Sequence, residues 1–316
     1  MFIRSSQKLN KMFYTSQPMI KYSIKDLEKL TGIKAHTIRI WEKRYQLIEP
    51  ERTSTNIRYY SDNDLKKLLN VSILNRNGLK ISNIVTMNND EINERIIEMS
   101  ETNHDNTNQL EQLIVAMIDF DEQRFERVLS TSIIKIGFDE TVIKILYPFF
   151  EKVGVLWQIG TVYPAQEHFV SYLIRQKLII AIDGQAGMTP LVPRTFLMWL
   201  PSNEWHELGL LFYSYIIKRS GFRIIYLGQS VPFEDLLAVR DKHKIDYLFT
   251  SMITPLTQRA YSDYMHQLSE NFANSTIYVS GYQTTEFNIN LPSNTNLIHN
   301  PDELTIQLLS IKESIS

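Results

Sequence analysis

Residues 202–209 read SNEWHELG, and only Pro201 separates them from the apolar run TFLMWL. Glu204 and His206 stand two residues apart there, and Gly209 follows three residues later. A neutral imidazole is a good metal ligand, and a carboxylate at this spacing can hydrogen-bond the other ring nitrogen, which fixes the tautomer and raises the basicity of the ring. Gly209 has no side chain to block a bulky group from the following helix. The spacing therefore indicates a metal ligand at His206, and a polar surface histidine or helix cap is the alternative.

The composition limits the chemistry that could accompany this histidine. The 316 residues contain no cysteine, which excludes disulfides, thiolate zinc sites, iron–sulfur clusters and cysteine nucleophiles. A metal would have to be held by His or carboxylate groups, or arrive inside a cofactor. With 43% apolar and 22% charged residues, no apolar run of about 18 residues, and no long apolar core within residues 1–20, we expect a cytoplasmic globular protein of two or three domains without membrane contact.

The region around the histidine alternates between short β-rich runs and helical stretches. Such βαβ alternation over residues 189–316 predicts a five-stranded parallel sheet with helices on both faces, in flavodoxin-like order. Ligands of such sheets bind at the carboxyl ends of the strands. The sequence SNEWHELG would lie at that edge, after the first strand.

Two further segments precede the α/β region. Residues 91–109 are polar and rich in Asn, which predicts a linker. Residues 110–188 show helical periodicity broken at Gly137, Gly160 and Pro164, which predicts an antiparallel four-helix bundle. Trp157 would close one helix of that bundle.

Residues 20–90 predict a winged helix-turn-helix. One short helix begins after Ser23 and stops at Thr31-Gly32, and a second spans about Ala35 to Tyr45. Four residues would lie near the start of the second helix, where base-edge contacts are usually made: Lys34, His36, Thr37 and Arg39. Pro50–Tyr60 suits a β-hairpin wing that carries Arg58 and Tyr60 toward the phosphate backbone.

The charge distribution agrees with a nucleic-acid partner for this head. Residues 21–80 carry 13 Lys and Arg against 7 Asp and Glu, although the whole chain has a net charge of −2. A basic head on an acidic body indicates that the head meets a polyanion. A small helical domain with solvated basic residues is the alternative.

The order of helix-turn-helix, R-Y-Y wing and the following helix SDNDLKKLLNVSILNRNGLKISNI resembles the DNA-binding domain of MerR-type regulators. That resemblance implies a dimer on a pseudo-palindromic DNA operator, with DNA contacts from Arg39, Arg44, Arg58 and Tyr60. The coiled-coil helix and cysteine effector site that usually follow in that family are not found in this sequence.

The stretch Glu-x-His-x-x-Gly resembles the Asp-x-His-x-x-Gly signature of cobalamin-binding domains. The downstream run GFRIIYLGQSVPFEDL is similar to the second strand and loop of the same fold. The resemblance implies that His206 is the lower cobalt ligand, with Glu204 supporting it. It also implies that the nucleotide tail passes near Gly209, Ser251 and the pair Ser280-Gly281, where the family has Gly-Gly.

The spacing Trp-x9-Glu-His, at Trp157, Glu167 and His168, is similar to the cap of adenosylcobalamin-dependent photoreceptor repressors of the CarH/LitR type. In that family the Trp packs on the upper face, and the acid and His surround the adenosyl group. Gln158 stands where well-known members have a His that ligates cobalt after illumination. A stable bis-histidine photoproduct is therefore not expected.

These resemblances predict a DNA-binding transcriptional regulator, expected to be a repressor and not an enzyme. Its oligomeric state, a dimer or tetramer, would be controlled by adenosylcobalamin and light. Two alternatives stay open: a corrinoid carrier for methyl transfer, and a MerR-type regulator that no longer binds cobalamin.

Overall fold

A computed structural model describes residues 21–53, 55–102, 106–158, 162–185, 190–254, 256–281 and 291–314. Contacts divide the chain into two compact units, Met1–Val170 and Ser171–Ser316. The division falls inside one long helix, whereas the sequence places the start of the α/β region at residue 189. No helix among the described residues has both the length and the apolar character that a membrane crossing requires.

The first unit begins with the predicted helix-turn-helix, formed by α1 (Ile24–Thr31) and α2 (Ala35–Tyr45). Ser23 and Asp26 form a capping box, in which the Ser23 hydroxyl accepts from the Asp26 N–H and the Asp26 carboxylate accepts from the Ser23 N–H. Gly32 ends α1 in the left-handed region, with φ of 71°. Both helices bury their apolar faces, and this confirms the prediction.

The wing consists of β1 (Glu51–Arg52) and β2 (Arg58–Tyr59), which pair in antiparallel fashion. It is followed by α3 (Asp62–Arg76) and α4 (Ile81–Ile84). Tyr60 forms an isolated antiparallel bridge with Tyr22, so the strand that leaves the wing is tied to the residue that precedes α1.

The prediction of a linker at residues 91–109 is wrong. Most of that segment is helical: α5 spans Asn89–Thr102, and the next helix already begins at Asn106. Apolar residues at Ile92, Ile96 and Met99 form a stripe on one face of α5, and Ile96 is buried. The spacing of four and then three residues between these apolar side chains is typical of a helix that packs along one side. The high Asn content of the segment favours a linker and makes this spacing less evident.

The next helices form the predicted four helical segments, and the division between the two units falls inside the last of them. The first, second and fourth segments are α6 (Asn106–Asp119), α7 (Glu122–Ile136) and α10 (Pro164–Asp183). The third is continuous and consists of α8 (Phe138–Thr141), a π-helical turn (Val142–Leu146) and α9 (Tyr147–Gln158). Pro148 explains the π-helical turn, since proline lacks an N–H and its ring clashes with the carbonyl four residues earlier. The bundle therefore keeps one long helical segment across this irregularity.

The second unit contains a five-stranded parallel sheet. Its strands are β3 (Val192–Pro201), β4 (Phe222–Val231), β5 (Tyr247–Ser251), β6 (Thr276–Ser280) and β7 (Thr295–Leu297). The described helices are α11 (Glu207–Arg219), α12 (Phe233–Arg240), α13 (Gln258–Asn271) and α14 (Pro301–Glu313). The strand order β4-β3-β5-β6-β7 is the flavodoxin-like order, as predicted.

Candidate functional site

Glu204 is the best-connected side chain of the loop between β3 and α11. It is almost fully buried. Its Oε1 accepts from the backbone N–H groups of Trp205 (2.9 Å) and His206 (3.1 Å), and its Oε2 accepts from those of Ile253 (2.8 Å) and Thr254 (2.7 Å). The carboxylate therefore ties the loop after β3 to the loop after β5. Both loops lie at the carboxyl edge of the sheet.

His206 is held by the same carboxylate. Its Nδ1 lies 2.5 Å from Glu204 Oε1, and the residue occupies the position just before α11. The side chain is about half exposed (54%), whereas Glu204 is not. With Nδ1 engaged by the carboxylate, Nε2 is the ring nitrogen that would ligate a metal. The predicted contact between the acid and the histidine is confirmed.

The pKa of Glu204 lies well below its usual range. Burial by itself raises the pKa, but the hydrogen bonds from the His206 ring and from the backbone N–H groups of Thr254, His206 and Ile253 outweigh burial. The group is thus a carboxylate under all ordinary conditions. A permanent negative charge on the Nδ1 side keeps that nitrogen protonated and makes Nε2 the basic atom.

The end of β4 braces the histidine loop from another side. The Gln229 side chain donates to the Trp205 carbonyl (2.9 Å), the Ser230 hydroxyl accepts from Asn203 N–H (3.0 Å), and Ser230 N–H donates to the Glu204 carbonyl (3.1 Å). Nothing in the sequence predicts these contacts or the Ile253 and Thr254 donors. Backbone donors leave no side-chain signal, because every residue except proline has one.

The two predicted glycines play different structural roles. A β-carbon placed on Gly209 would meet nothing within 4 Å, so the surface of α11 is open there. Gly281 has φ of 106°, and a β-carbon there would collide with the backbone of Met252. Gly209 thus leaves room for a bound group, whereas Gly281 is required by the fold itself.

Ser251 and Ser280 end the neighbouring strands β5 and β6. They are aligned in the parallel register, and both are buried. The structure therefore brings the predicted residues Glu204, His206, Ser251 and Ser280 to one edge of the sheet. A contact of the serines or glycines with a nucleotide tail stays a prediction.

The predicted cap residues belong to the helical part. Trp157 lies near the end of α9, but its side chain and that of Gln158 fall outside the described part of the chain. Gln166 is buried near the start of α10, where it accepts from Tyr163 N–H (2.9 Å) and donates to the Ile118 carbonyl (3.3 Å). The next residues, Glu167 and His168, are half-buried and exposed, respectively. Their convergence with Trp157 stays a prediction.

The donor set suits a metal that is held mainly by its own macrocycle. Among the described residues, no group of three or more His, Asp or Glu side chains is arranged to hold a metal ion. One histidine with a fixed tautomer, beside an open helix surface at Gly209, fits a corrin ring that needs a single protein ligand.

The candidate DNA surface is centred on α2. Lys34, His36, Arg39 and Arg44 are exposed there, and Thr37 is half-buried. The Lys34 ammonium lies 3.1 Å from Glu28, and Glu28 also accepts from Ala35 N–H (3.2 Å), which anchors the start of α2 to α1. DNA contact by these side chains stays a prediction.

The predicted DNA contact by Tyr60 is wrong for this structure. Only 1% of Tyr60 is exposed, and its hydroxyl donates to Glu42 (3.4 Å), a residue that also accepts from Arg58 Nε (3.2 Å). Burial raises the pKa of Tyr60 to about 12. Tyr59, one residue earlier in the R-Y-Y sequence, is the more exposed ring.

Comparisons with known proteins match the modules separately. Residues 22–90 match the family "MerR HTH family regulatory protein", and residues 109–181 match the family "B12 binding domain". The chain is 29% identical over 266 residues to the HTH-type transcriptional repressor CarH of Myxococcus xanthus, covering 79% of this chain and 84% of that protein. It is 28% identical over 211 residues to CarA of the same organism, covering 66% and 68%.

A solved structure with a similar fold is the monomethylamine corrinoid protein of Methanosarcina barkeri. The TM-score is 0.51 at 13% identity, over 69% of this chain and 99% of that one. At this identity the likeness concerns the fold alone. Sequence and fold together agree: the chain contains a MerR helix-turn-helix domain and a B12-binding domain, and it is homologous over most of its length to the CarH and CarA repressors.

Proposed function

We propose that the protein is a DNA-binding transcriptional regulator whose DNA binding is controlled by adenosylcobalamin. The observation that carries the proposal is the Glu204–His206 pair, with Nδ1 fixed at 2.5 Å and the carboxylate locked by four backbone donors. A metal-ligating histidine needs such a hydrogen-bond partner on its other ring nitrogen. The homology to two named repressors supports repression as the direction of control.

Each predicted site residue has a defined part in this proposal. His206 would hold the cobalt through Nε2, and Glu204 would hold the His206 ring. Gly209 would leave space for the cofactor beside α11, and Ser251, Ser280 and Gly281 would hold its nucleotide tail. Trp157, Glu167 and His168 would contact the adenosyl group. The cofactor supplies a cobalt–carbon bond that light can break, so light is the proposed signal.

The regulatory step is a change of oligomeric state. Each head contacts DNA through a few basic side chains on α2, so a single head binds weakly. Joining heads in a dimer or tetramer raises operator occupancy by about 10²- to 10⁴-fold through effective concentration. Loss of the adenosyl group would disperse the assembly and release double-stranded DNA. We expect the protein to act in the cytoplasm.

The decisive experiment compares wild type with His206→Ala. Adenosylcobalamin is added in the dark, and absorption spectra and gel-filtration profiles are recorded before and after green light. We expect a base-off, histidine-ligated spectrum and a light-dependent elution change for wild type only. His243→Ala removes an exposed histidine after α12 and serves as the matched control. An identical visible spectrum for wild type and His206→Ala would count against the assignment.

A corrinoid carrier for methyl transfer is the second candidate, and the shared fold with a corrinoid protein favours it. A corrinoid carrier does not need a basic helix-turn-helix, so the presence of that domain argues against this candidate. Methyl transfer with a partner methyltransferase, without any effect of cobalamin on DNA binding, would support the carrier. A purified protein that is colourless and does not bind added cobalamin would support the remaining alternative, a MerR-type regulator that no longer binds the cofactor.

A further inference from the structure

The end of α1, where the turn of the helix-turn-helix begins, accepts hydrogen bonds from the helical bundle and from α3. Lys152, in α9, donates from Nζ to the Leu30 carbonyl (3.1 Å), and Ser72, in α3, donates to the Thr31 carbonyl (3.0 Å). Leu30 and Thr31 are the last residues of α1, where carbonyl groups lack partners within the helix. A cation at this end also interacts favourably with the helix dipole. The bundle therefore caps the helix that leads into the DNA-reading helix.

A buried carboxylate joins the two contacts. Glu111, in α6, is completely buried and accepts from Arg76 Nη1 (3.0 Å) and Nη2 (2.6 Å). The Ser72 hydroxyl lies 3.4 Å from the same carboxylate. A carboxylate without solvent is tolerated only where it is paired and hydrogen-bonded. Its geometry therefore fixes α3 of the head against α6 of the bundle.

Lys152 belongs to the same network. Burial lowers the pKa of Lys152, Glu111 opposes this effect, and Arg76 adds to it. Lys152 is half-buried where it reaches the Leu30 carbonyl, so this contact carries a desolvation cost that a fully exposed lysine would not have. The placement of Lys152 is thus specific to the capped turn.

The helices that carry Lys152 and Glu111 also lead to the predicted cap. Lys152 precedes Trp157 by five residues on α9. On α6, Glu111 is followed by Ile118, whose carbonyl accepts from the Gln166 side chain, beside Glu167 and His168. A shift of α9 at the cap would therefore move Lys152, which contacts the end of α1, and a shift of α6 would move Glu111, which lies beside Ser72.

The movement would continue into α2. Glu28, in the last turns of α1, accepts from Ala35 N–H and pairs with Lys34, so the end of α1 and the start of α2 are fixed to each other. The predicted base-reading residues begin at Lys34. The path from Lys152 to the predicted DNA surface thus consists of a hydrogen bond to α1, the last turn of α1, and a hydrogen bond from α2 to Glu28.

We propose that Lys152 and Glu111 are positioning residues that set the orientation of the helix-turn-helix according to the state of the cap. The first half of this inference, that Lys152 holds the turn, needs no cofactor. The second half, that the cap acts through it, rests on the proposed function. Control of DNA binding would then operate within each subunit, in addition to any change of oligomeric state.

The experiment measures amide hydrogen exchange of the full-length protein, with and without adenosylcobalamin in the dark. The reporters are the Gly32 and Ile33 amides, which bond to Glu28 O and Thr31 Oγ1. Without cofactor, Lys152→Met should speed their exchange by about tenfold, as expected for loss of one charged hydrogen bond. The control is Lys144→Met, which replaces an exposed lysine on the preceding π-helical turn. In this variant the Gly32 and Ile33 amides should exchange as fast as in wild type.

With cofactor, exchange at these amides should change in wild type and Lys144→Met but not in Lys152→Met. Residues 202–209 should respond in all three proteins, because His206 is intact. Ser72→Ala provides a milder variant that should show the same loss at the turn if Lys152→Met fails to fold. Its matched control is Ser82→Ala, at an exposed serine of α4.

The outcomes separate the two proposals. Unchanged exchange at the turn in cofactor-free Lys152→Met and Ser72→Ala would overturn the positioning role. A wild-type response at residues 202–209 without any response at the turn would overturn the coupling and leave cobalamin binding intact. No wild-type response at either place would overturn the proposed function, and the cofactor-free comparison would still decide whether Lys152 holds the turn.

Discussion

At the scale of single residues, the site depends on the Glu204 carboxylate, both oxygens of which accept hydrogen bonds. Glu204 accepts from four backbone N–H groups and from the ring of His206. A shorter or neutral side chain could not serve all these donors at once. Glutamate in place of the aspartate of the cobalamin signature therefore keeps the chemistry of the pair, and in this chain it also reaches the loop after β5.

Replacement of Glu204 by Gln tests this role. An amide places an N–H₂ group against donors, so we expect a cost to folding of about 1–3 kcal/mol. Cobalamin affinity should fall by about 10- to 100-fold, as for other lost partners of metal-ligating histidines. Absorption titration and chemical unfolding give the two values.

The control is Glu234→Gln, which makes the same chemical change at an exposed position in the first turn of α12. If Glu204→Gln bound cobalamin with the same affinity as wild type and the control, the Glu204–His206 pair would have only a structural role.

At the scale of elements, the carboxyl edge of the sheet combines one tight and one open glycine. Gly281 follows β6 at φ of 106° with Met252 packed against it, and Gly209 lies in the first turn of α11 facing open space. Both belong to the cobalamin-like pattern in the sequence. The same residue type thus serves chain packing in one case and access to the helix surface in the other.

Alanine substitution should separate these roles. Gly281→Ala should destabilise the protein by about 3 kcal/mol or more, because it adds a clash to an unfavourable φ. Gly209→Ala should leave stability unchanged or raise it by up to about 1 kcal/mol, since alanine favours helix. Cobalamin binding should nevertheless weaken in Gly209→Ala. Thermal unfolding and absorption titration are the measurements, and equal destabilisation by both changes would contradict the assignment.

At the scale of the whole molecule, charge is unevenly distributed. The excess of Lys and Arg in residues 21–80 is outweighed by acidic residues elsewhere, because the whole chain has a net charge of −2. An acidic remainder would disfavour indiscriminate contact with DNA and would leave binding to the exposed basic residues of α2. Phosphate neutralisation by those residues would make the affinity salt-dependent.

This distribution predicts the salt dependence of DNA binding. Arg39→Ala should weaken binding to a duplex selected by the wild-type protein and should reduce the slope of log affinity against log salt by about one. Tyr60→Phe should change neither, because the Tyr60 ring is buried. Fluorescence anisotropy at several salt concentrations measures both. A loss of affinity in Tyr60→Phe without a loss of stability would restore Tyr60 to the interface.

Local patterns in the sequence determined the helix-turn-helix, the alternation of strands and helices after residue 189, and the contact between Glu204 and His206. Capping residues, glycine stops, alternation and a two-residue spacing act between near neighbours, so they can be recognised in one dimension. The linker prediction is wrong at the same local level, because the apolar spacing of Ile92, Ile96 and Met99 specifies a helix despite the high Asn content.

Only the tertiary structure decided which distant groups meet. The N–H groups of Ile253 and Thr254 bind Glu204, Lys152 reaches the Leu30 carbonyl, and Tyr60 turns inward. Nearly every residue has a backbone donor and acceptor, so nothing in residue type marks the ones that a side chain will find. Burial of one tyrosine and exposure of its neighbour likewise depend on the packing of the wing against α1 and α2, which no local spacing encodes.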